Sequence, residues 1–349
     1  MDIQKIVKEK ILVLDGAMGT LLQQKGLSDA EYKRDLFKDF SINLTGVKDL
    51  LCLTRSDIVR EIHEDYIKAG ADIITTNSFN ANKFGLQEYS LEQYVYKINF
   101  SAAQIARQVS EKYASDSRTV FVAGAMGPTK NAASISPYIN RPASRDVTFQ
   151  ELVEAYKEQA RGLLDGGADL LLIETVFDTL NAKAALYAIN QLRNSYERHV
   201  PVMVSGTIDD SGRILSGQTV EAFFNSLEPY GLCSIGLNCS FGADKMLPYL
   251  ERLAVKSTVN VSAHPNAGLP NEQGDYEQSA IEMARQLEKF LSNGLVNIIG
   301  GCCGTTPDHV KAIKRISDKY NPRVILPRSR TTRLSGLQSL GVKEATRLM

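Results

Sequence analysis

The stretch GGADLLLIET, residues 166–175, decides how this chain is built. Two glycines stand where an amphipathic stretch runs out, an apolar run follows, and Glu174 waits at its far end. Glycine placed between a helical pattern and a short apolar run marks a helix that stops and feeds a buried strand. The phrase recurs as AGADIITTN at 69–77. Working outward, β-rich apolar runs lie at 11–14, 73–76, 120–123, 170–173, 202–205, 234–237, 259–263 and 296–299, eight in all. Charge-studded stretches such as 56–69, 149–164, 182–193, 279–291 and 307–319 alternate with them at helical periodicity. Ser90 with Gln93 and Thr148 with Glu151 suit capping boxes, and Thr306 before Pro307 and Asp308 suits an N-cap. Eight strands alternating with helices predict an α/β fold, a closed (β/α)8 TIM barrel in a single domain. Its expected extent is 1–325, leaving 326–349 as a basic C-terminal tail or linker remnant. An open doubly wound sheet would carry G-x-G-x-x-G after its first strand, where DGAMGTLL breaks the pattern.

Of 349 residues 43% are hydrophobic, enough for a sizeable core, and 40 basic residues balance 40 acidic ones. A formally neutral chain has no overall field to draw it to nucleic acid or an anionic membrane, so a small ligand is expected. The opening MDIQKIVKEKILVLDG is interrupted by Lys5, Lys8, Glu9 and Lys10, with no run suited to a signal peptide or membrane span. A cytoplasmic location is the expectation. Five cysteines in such a chain read as ligands or nucleophiles rather than a disulfide framework, with redox sensing left open.

Barrel enzymes keep their chemistry at the C-terminal ends of the strands. Those ends should carry Asp15, Asn77, Gly127-Pro128-Thr129, Glu174, Thr207, Asn238-Cys239, His264-Pro265-Asn266 and Cys302-Cys303. Neighbouring strand residues face opposite ways, so Cys302 and Cys303 can share one target only where the backbone leaves the strand, a turn that glycines at 300, 301 and 304 permit. Three thiols on one rim match catalytic zinc, which takes three protein ligands and leaves a fourth position open. A buried apolar thiol at Cys239 with a redox-sensitive pair at 302–303 is the plainer alternative. An anion cradle built from the glycines of GGCCGTTP is another. Cys52 and Cys233 read as core residues. His63 and His199 read as helix-surface or loop positions, while His264 and His309 sit closer to the rim.

Several phrases carry a family likeness: LDGAMGTLLQ (14–23), TTNSFNAN (75–82), AGAMGPT (123–129), ASISP (133–137), DLLLIETVFDTLNAKAA (169–185), GLNCSFGAD (236–244), HPNAGLPN (264–271) and GGCCGTTPDH (300–309). Together they closely resemble the homocysteine-binding module of cobalamin-dependent methionine synthase, over nearly the whole chain. RTTRLSGLQ (330–338) resembles the segment that leads into that enzyme's folate module. The resemblance implies a homocysteine S-methyltransferase on a (β/α)8 barrel, with Cys239, Cys302 and Cys303 as zinc ligands and catalytic centre. It implies that Asn266 can take zinc's fourth position when substrate is absent. Asp15 and Glu174 match positions near the substrate's ammonium group. Gly16, Ala17, Met18, Gly19 and Thr20 form the turn whose backbone N–H groups can meet its carboxylate, and Asn238 joins the substrate-facing set.

A free thiol of pKa about 8.5 is only a few per cent ionised at pH 7, and zinc binds the deprotonated form outright. Three thiolates on Zn²⁺ leave a net negative centre, a poor generator of hydroxide and a good holder of a reactive sulfur. Sulfur methylation is therefore the expected chemistry. The expected donor is methylcobalamin carried by a separate module or subunit, so corrinoid- and folate-binding modules are the expected partners. Stand-alone use of S-methylmethionine or betaine, and a zinc-bearing scaffold without turnover, are the alternatives. Arg323, Arg328, Arg330, Arg333, Lys343 and Arg347 against a single Glu344 suit the tail to an acidic partner surface, or to a solvated linker.

Overall fold

In the computed structural model the described residues are 2–342 apart from 117, 197–198, 326 and 328–330. Eight parallel strands form one sheet: β1 (Leu12–Val13), β2 (Ile73–Thr75), β3 (Phe121–Met126), β4 (Leu170–Val176), β5 (Val202–Gly206), β6 (Ser234–Cys239), β7 (Asn260–Pro265) and β8 (Ile298–Ile299). Each pairs with its chain neighbour from β2 to β8, and β1 pairs with β8 through Leu12↔Ile298 and Val13↔Ile299. A single bridge, Leu14↔Ile73, joins β1 to β2 and closes the ring. The helices Ser56–Ala69, Val95–Tyr113, Phe149–Asp165, Thr179–Leu192, Val220–Leu227, Ala243–Lys256, Ala280–Ser292 and Pro307–Ser317 surround it, making the expected TIM barrel.

The opening motif works as read. Gly70 caps its helix at φ 111°, and Gly167 turns at φ 101° ahead of β4, left-handed values that cost glycine nothing. Alternation then sorts each strand. Leu12, Ile73, Phe121, Leu170, Leu172 and Met203 fill the barrel, whereas Val13, Ile74, Val122, Leu171, Val202 and Val204 face the helices. Both faces are dry, so the strands read as continuous apolar runs. Ile3 and Val7 of the helix Ile3–Glu9 join the interior cluster with Cys233, whose thiol burial pushes up, and Cys52 is buried in the outer core.

Several strands run further toward their C-terminal ends than the apolar runs suggest. β3 extends to Met126, β4 to Val176, β6 to Cys239 and β7 to Pro265. Ladder hydrogen bonds continue through the polar residues that face the site, where hydrophobicity no longer marks a strand. Thr148 and Glu151 form the expected capping box, and Thr306 caps the last barrel helix with His309 answering from N3. Ser90 corrects the reading: it lies at φ 54°, and the short 3-10 turn Glu92–Tyr94 starts after Leu91 without a side-chain cap. His63 is a second correction. It is fully buried on the helix Ser56–Ala69, and neither ring nitrogen has a partner among the described residues. His199 is exposed in a loop.

Beyond the barrel, β9 (Thr332–Ser335) and β10 (Ser339–Val342) form an antiparallel hairpin against Val220–Leu227. Ser335 Oγ donates to the Ala222 carbonyl at 2.6 Å, and Arg333 pairs with Glu228 at 3.3 Å. Arg323 is buried, its guanidinium donating to the Ala254, Ser257 and Val259 carbonyls. Arg328, Arg330, Lys343, Glu344 and Arg347 lie outside the described residues. Among the described residues no helix is long and apolar enough to cross a membrane.

Candidate metal and substrate site

Three thiols meet at the C-terminal mouth. Cys239 ends β6, Cys302 and Cys303 follow β8, and all three Sγ atoms lie within 4.8 Å of one another. Cys239 and Cys303 are 3.9 Å apart. A tetrahedral zinc with Zn–S bonds of about 2.3 Å holds two sulfurs about 3.8 Å apart, so this trio fits the ion with little movement.

The backbone leaves its strands to achieve this. Cys239 and Ser240 adopt φ of 58° and 60°, a conformation that L-residues rarely hold without support. Ser240 Oγ supplies some, accepting from the Ile208 N–H at 2.8 Å. The Cys302–Cys303 segment is stitched on two sides. Cys302 N–H donates to Pro265 O and Ala267 N–H to Cys303 O, tying it to β7. Ala17 N–H donates to Thr305 Oγ1 at 3.1 Å, and Gly304 N–H donates to Thr20 Oγ1 at 3.1 Å, tying it to the turn after β1. Tyr66, buried on its helix, donates to the Thr305 carbonyl at 3.1 Å.

Glu174 is presented by a bulge. The β4–β5 register jumps between Ile173 and Val176, and Thr175 adopts φ 57°. Asn238 locks that bulge: its Oδ1 accepts from Thr175 N–H at 2.9 Å and Ser205 Oγ at 2.7 Å, while Nδ2 donates to Thr175 Oγ1 at 2.8 Å. Its Nδ2 also reaches Cys302 Sγ at 3.9 Å, which links the bulge to the thiol trio.

A cavity of about 390 Å³ opens over the thiols. Asp15, Glu174, His264, Lys48 and Tyr276 contribute to its wall, as do Asn77 and the turn from Gly16 to Thr20. Asn238, Asn266, Thr129 and Thr207 stay outside it. Asn266 nonetheless keeps a buried Oδ1 with no partner among the described residues. An orphaned oxygen next to Pro265 and Ala267, the two residues bonded to the cysteine backbone, suits an additional donor to a metal. His264 Nε2 is likewise buried and unpartnered, and its burial lowers the ring's pKa to about 4. His309 is spent on Thr306 and the Gln278 carbonyl.

Charge in the cavity is held in tension. Burial raises Asp15 well above the carboxylate range, against hydrogen bonds from the Thr75 backbone and hydroxyl. Burial, and then the charge influence of Cys239, raises Glu174 to about 8. Two carboxyls that resist ionisation are poised for a cationic ligand to supply the missing countercharge. Cys303 is the thiol that ionises most readily, because Cys239 and then Cys302 donate hydrogen bonds to its thiolate. The same crowding raises Cys302.

Residues 12–317 match the model of the homocysteine S-methyltransferase family. The chain belongs to that family. Solved structures agree on the fold. The homocysteine methyltransferase MmuM from Escherichia coli superposes in its oxidised form with a TM-score of 0.69 at 23% identity, covering 89% of this chain and 97% of that one. Its metallated form gives 0.67 at 24% identity, with 89% and 98% covered.

The span matched to the homocysteine S-methyltransferases contains every thiol of the trio, Asp15 and Glu174, and stops short of the β9–β10 hairpin. Sequence reading passed over four residues that build this family member's site. Thr75 holds Asp15, Tyr66 and Thr305 hold the cysteine loop, and Lys48 contributes a cation. Thr75 lay in plain view inside the TTNSFNAN phrase, whereas nothing in the pattern around Lys48 marks it.

Proposed function

We propose that this protein is a zinc-dependent homocysteine S-methyltransferase, forming methionine with a methyl group from methylcobalamin carried on a separate module or subunit. The observation that carries the proposal is the convergence of three thiols within 4.8 Å beneath a cavity whose wall holds two carboxyls. Cys239, Cys302 and Cys303 would hold zinc, and the unpartnered Asn266 Oδ1 is the candidate for an additional donor. Zinc bound there would supply a thiolate-stabilising centre for the substrate's sulfur.

The chain's own groups do the rest. Glu174, in the cavity wall and raised by its burial, takes the substrate's ammonium. Asp15, held by Thr75, stands on the same cavity wall, and the turn from Gly16 to Thr20 lies along it. These contacts orient the amino acid so that its side-chain sulfur reaches the thiol trio, a positioning task more than an acid–base one. Asn238 keeps the Glu174 bulge in place and reaches Cys302 Sγ from its Nδ2 at 3.9 Å, which keeps it in the substrate-facing set.

The donor assignment rests on the likeness of the quoted phrases to the cobalamin-dependent enzyme. The deciding experiment measures zinc by elemental analysis and methionine formation from homocysteine with methylcobalamin, S-methylmethionine or betaine. Zinc-dependent turnover with methylcobalamin is expected. Turnover with S-methylmethionine or betaine alone would replace the donor, and a metal-free preparation of full activity would sink the zinc assignment.

A further inference from the structure

Among the described residues Lys48 is the one lysine or arginine in the cavity wall, and neither the thiols nor the carboxyls account for it. It starts the 3-10 turn Lys48–Leu50, which Asn77 pins by donating from Nδ2 to the Lys48 carbonyl at 2.8 Å. Asp49, next in the chain and buried, accepts from the Asn80 N–H and fixes the turn a second time. The side chain lies against the turn after β1: a Cβ on Gly19 would stand 3.8 Å from both Cδ and Nζ of Lys48. Its ammonium donates to Gly19 O at 3.0 Å and Gln23 Oε1 at 3.3 Å. An ammonium has three donors, so one is left over. No ion pair ties Lys48 to Asp15, Asp49 or Glu174 among the described residues. Burial penalises its charge, and Cys303 and then Asp49 oppose that penalty.

A half-buried cation with no ion pair among the described residues, on a turn pinned at two points beside acidic walls, fits a ligand that carries both charges. Resting on the homocysteine reading above, we propose that Lys48 is a specificity residue that receives the α-carboxylate of the amino-acid substrate. Its spare N–H points the choice toward a ligand bearing a carboxylate, while Glu174 serves the ammonium. The lysine thereby selects an amino acid over a simple aminothiol. A charge-assisted hydrogen bond in such a setting contributes about ten- to a hundredfold in affinity.

The test titrates zinc-loaded protein calorimetrically with L-homocysteine and with 3-aminopropane-1-thiol, the same molecule without its carboxylate. Wild type should prefer homocysteine by about ten- to a hundredfold. Lys48→Met keeps the length of the side chain and should lose most of that preference, binding the aminothiol as before and retaining its zinc. Lys48→Arg should restore much of the preference. Equal weakening of both ligands in Lys48→Met would show that the lysine only braces the Gly19 turn, and an undiminished preference would refute the proposal directly. Failure of zinc-loaded wild type to bind homocysteine at all would instead strike the functional reading beneath it.

Discussion

Cys239 at the end of β6 and Cys303 beyond β8 hold their Sγ atoms 3.9 Å apart although 64 positions separate them in the chain. Two distant strand ends reach one point because the barrel bends both strands to a common mouth and β7, bonded to both, lies between them. Substituting Cys303→Ala or Cys239→Ser should lower zinc affinity by well over a hundredfold, since losing mere outer-sphere partners already costs about 10–100-fold. Metal content after dialysis against a chelator reads this. Cys52→Ala and Cys233→Ala should retain full zinc, because neither thiol belongs to the trio or to the cavity wall.

Asn238 satisfies two donors and uses one of its own to hold the Thr175 bulge. Asn238→Ala leaves the Thr175 N–H and the buried Ser205 hydroxyl without their acceptor, at a cost of about 1–3 kcal/mol. Urea unfolding gives the loss, and homocysteine affinity should fall with it as Glu174 drifts. An unchanged midpoint would show that the bulge holds itself.

His63 gives the fold an acid-sensitive element. Burial, reinforced by Arg60, lowers its pKa to about 3 from an ordinary 6.5. Above pH 6.5 the ring is neutral in both folded and unfolded chains, and its contribution is fully present. As pH falls toward 3 the unfolded chain takes up a proton that the folded one refuses, so stability drains away. His63→Leu removes this penalty. Relative to the variant, wild type should lose about 2 kcal/mol between pH 7 and pH 5. Parallel unfolding free energies at the two pH values would contradict the assignment.

Gly236 faces the tightest backbone approach in the barrel wall: a Cβ there would lie 2.1 Å from the Ser262 carbonyl oxygen. Gly236→Ala must push β6 from β7, costing about 1–3 kcal/mol or more. Because β6 carries Cys239, zinc affinity should weaken alongside the thermal midpoint. A variant as stable as wild type would mean that the two strands part freely.

Sequence legibility followed hydrophobicity. The middles of all eight strands were readable because interior and exterior faces are both dry, as in Leu170, Leu171 and Leu172. Strand ends were not, because Glu174, Asn238 and Cys239 stay in the ladder or its bulge while presenting polar groups. His63 misled because charged neighbours on its helix made the turn look solvated, although the ring itself faces inward. The thiol trio was suggested by its phrases, but no spacing rule revealed Lys48, which arrives on a loop turn and reaches the cavity only through tertiary packing.

Ring closure has a consequence for how the metal is acquired. β1 completes the wall only by pairing with β8, and Gly301 N–H reaches back to the Asp15 carbonyl across that seam. Until the strand that follows β7 has been made and paired, a growing polypeptide offers Cys239 without its companions. On the proposed zinc reading, loading with the ion would therefore report a late act of assembly, and an incompletely synthesised chain would have no finished nest in which to trap it.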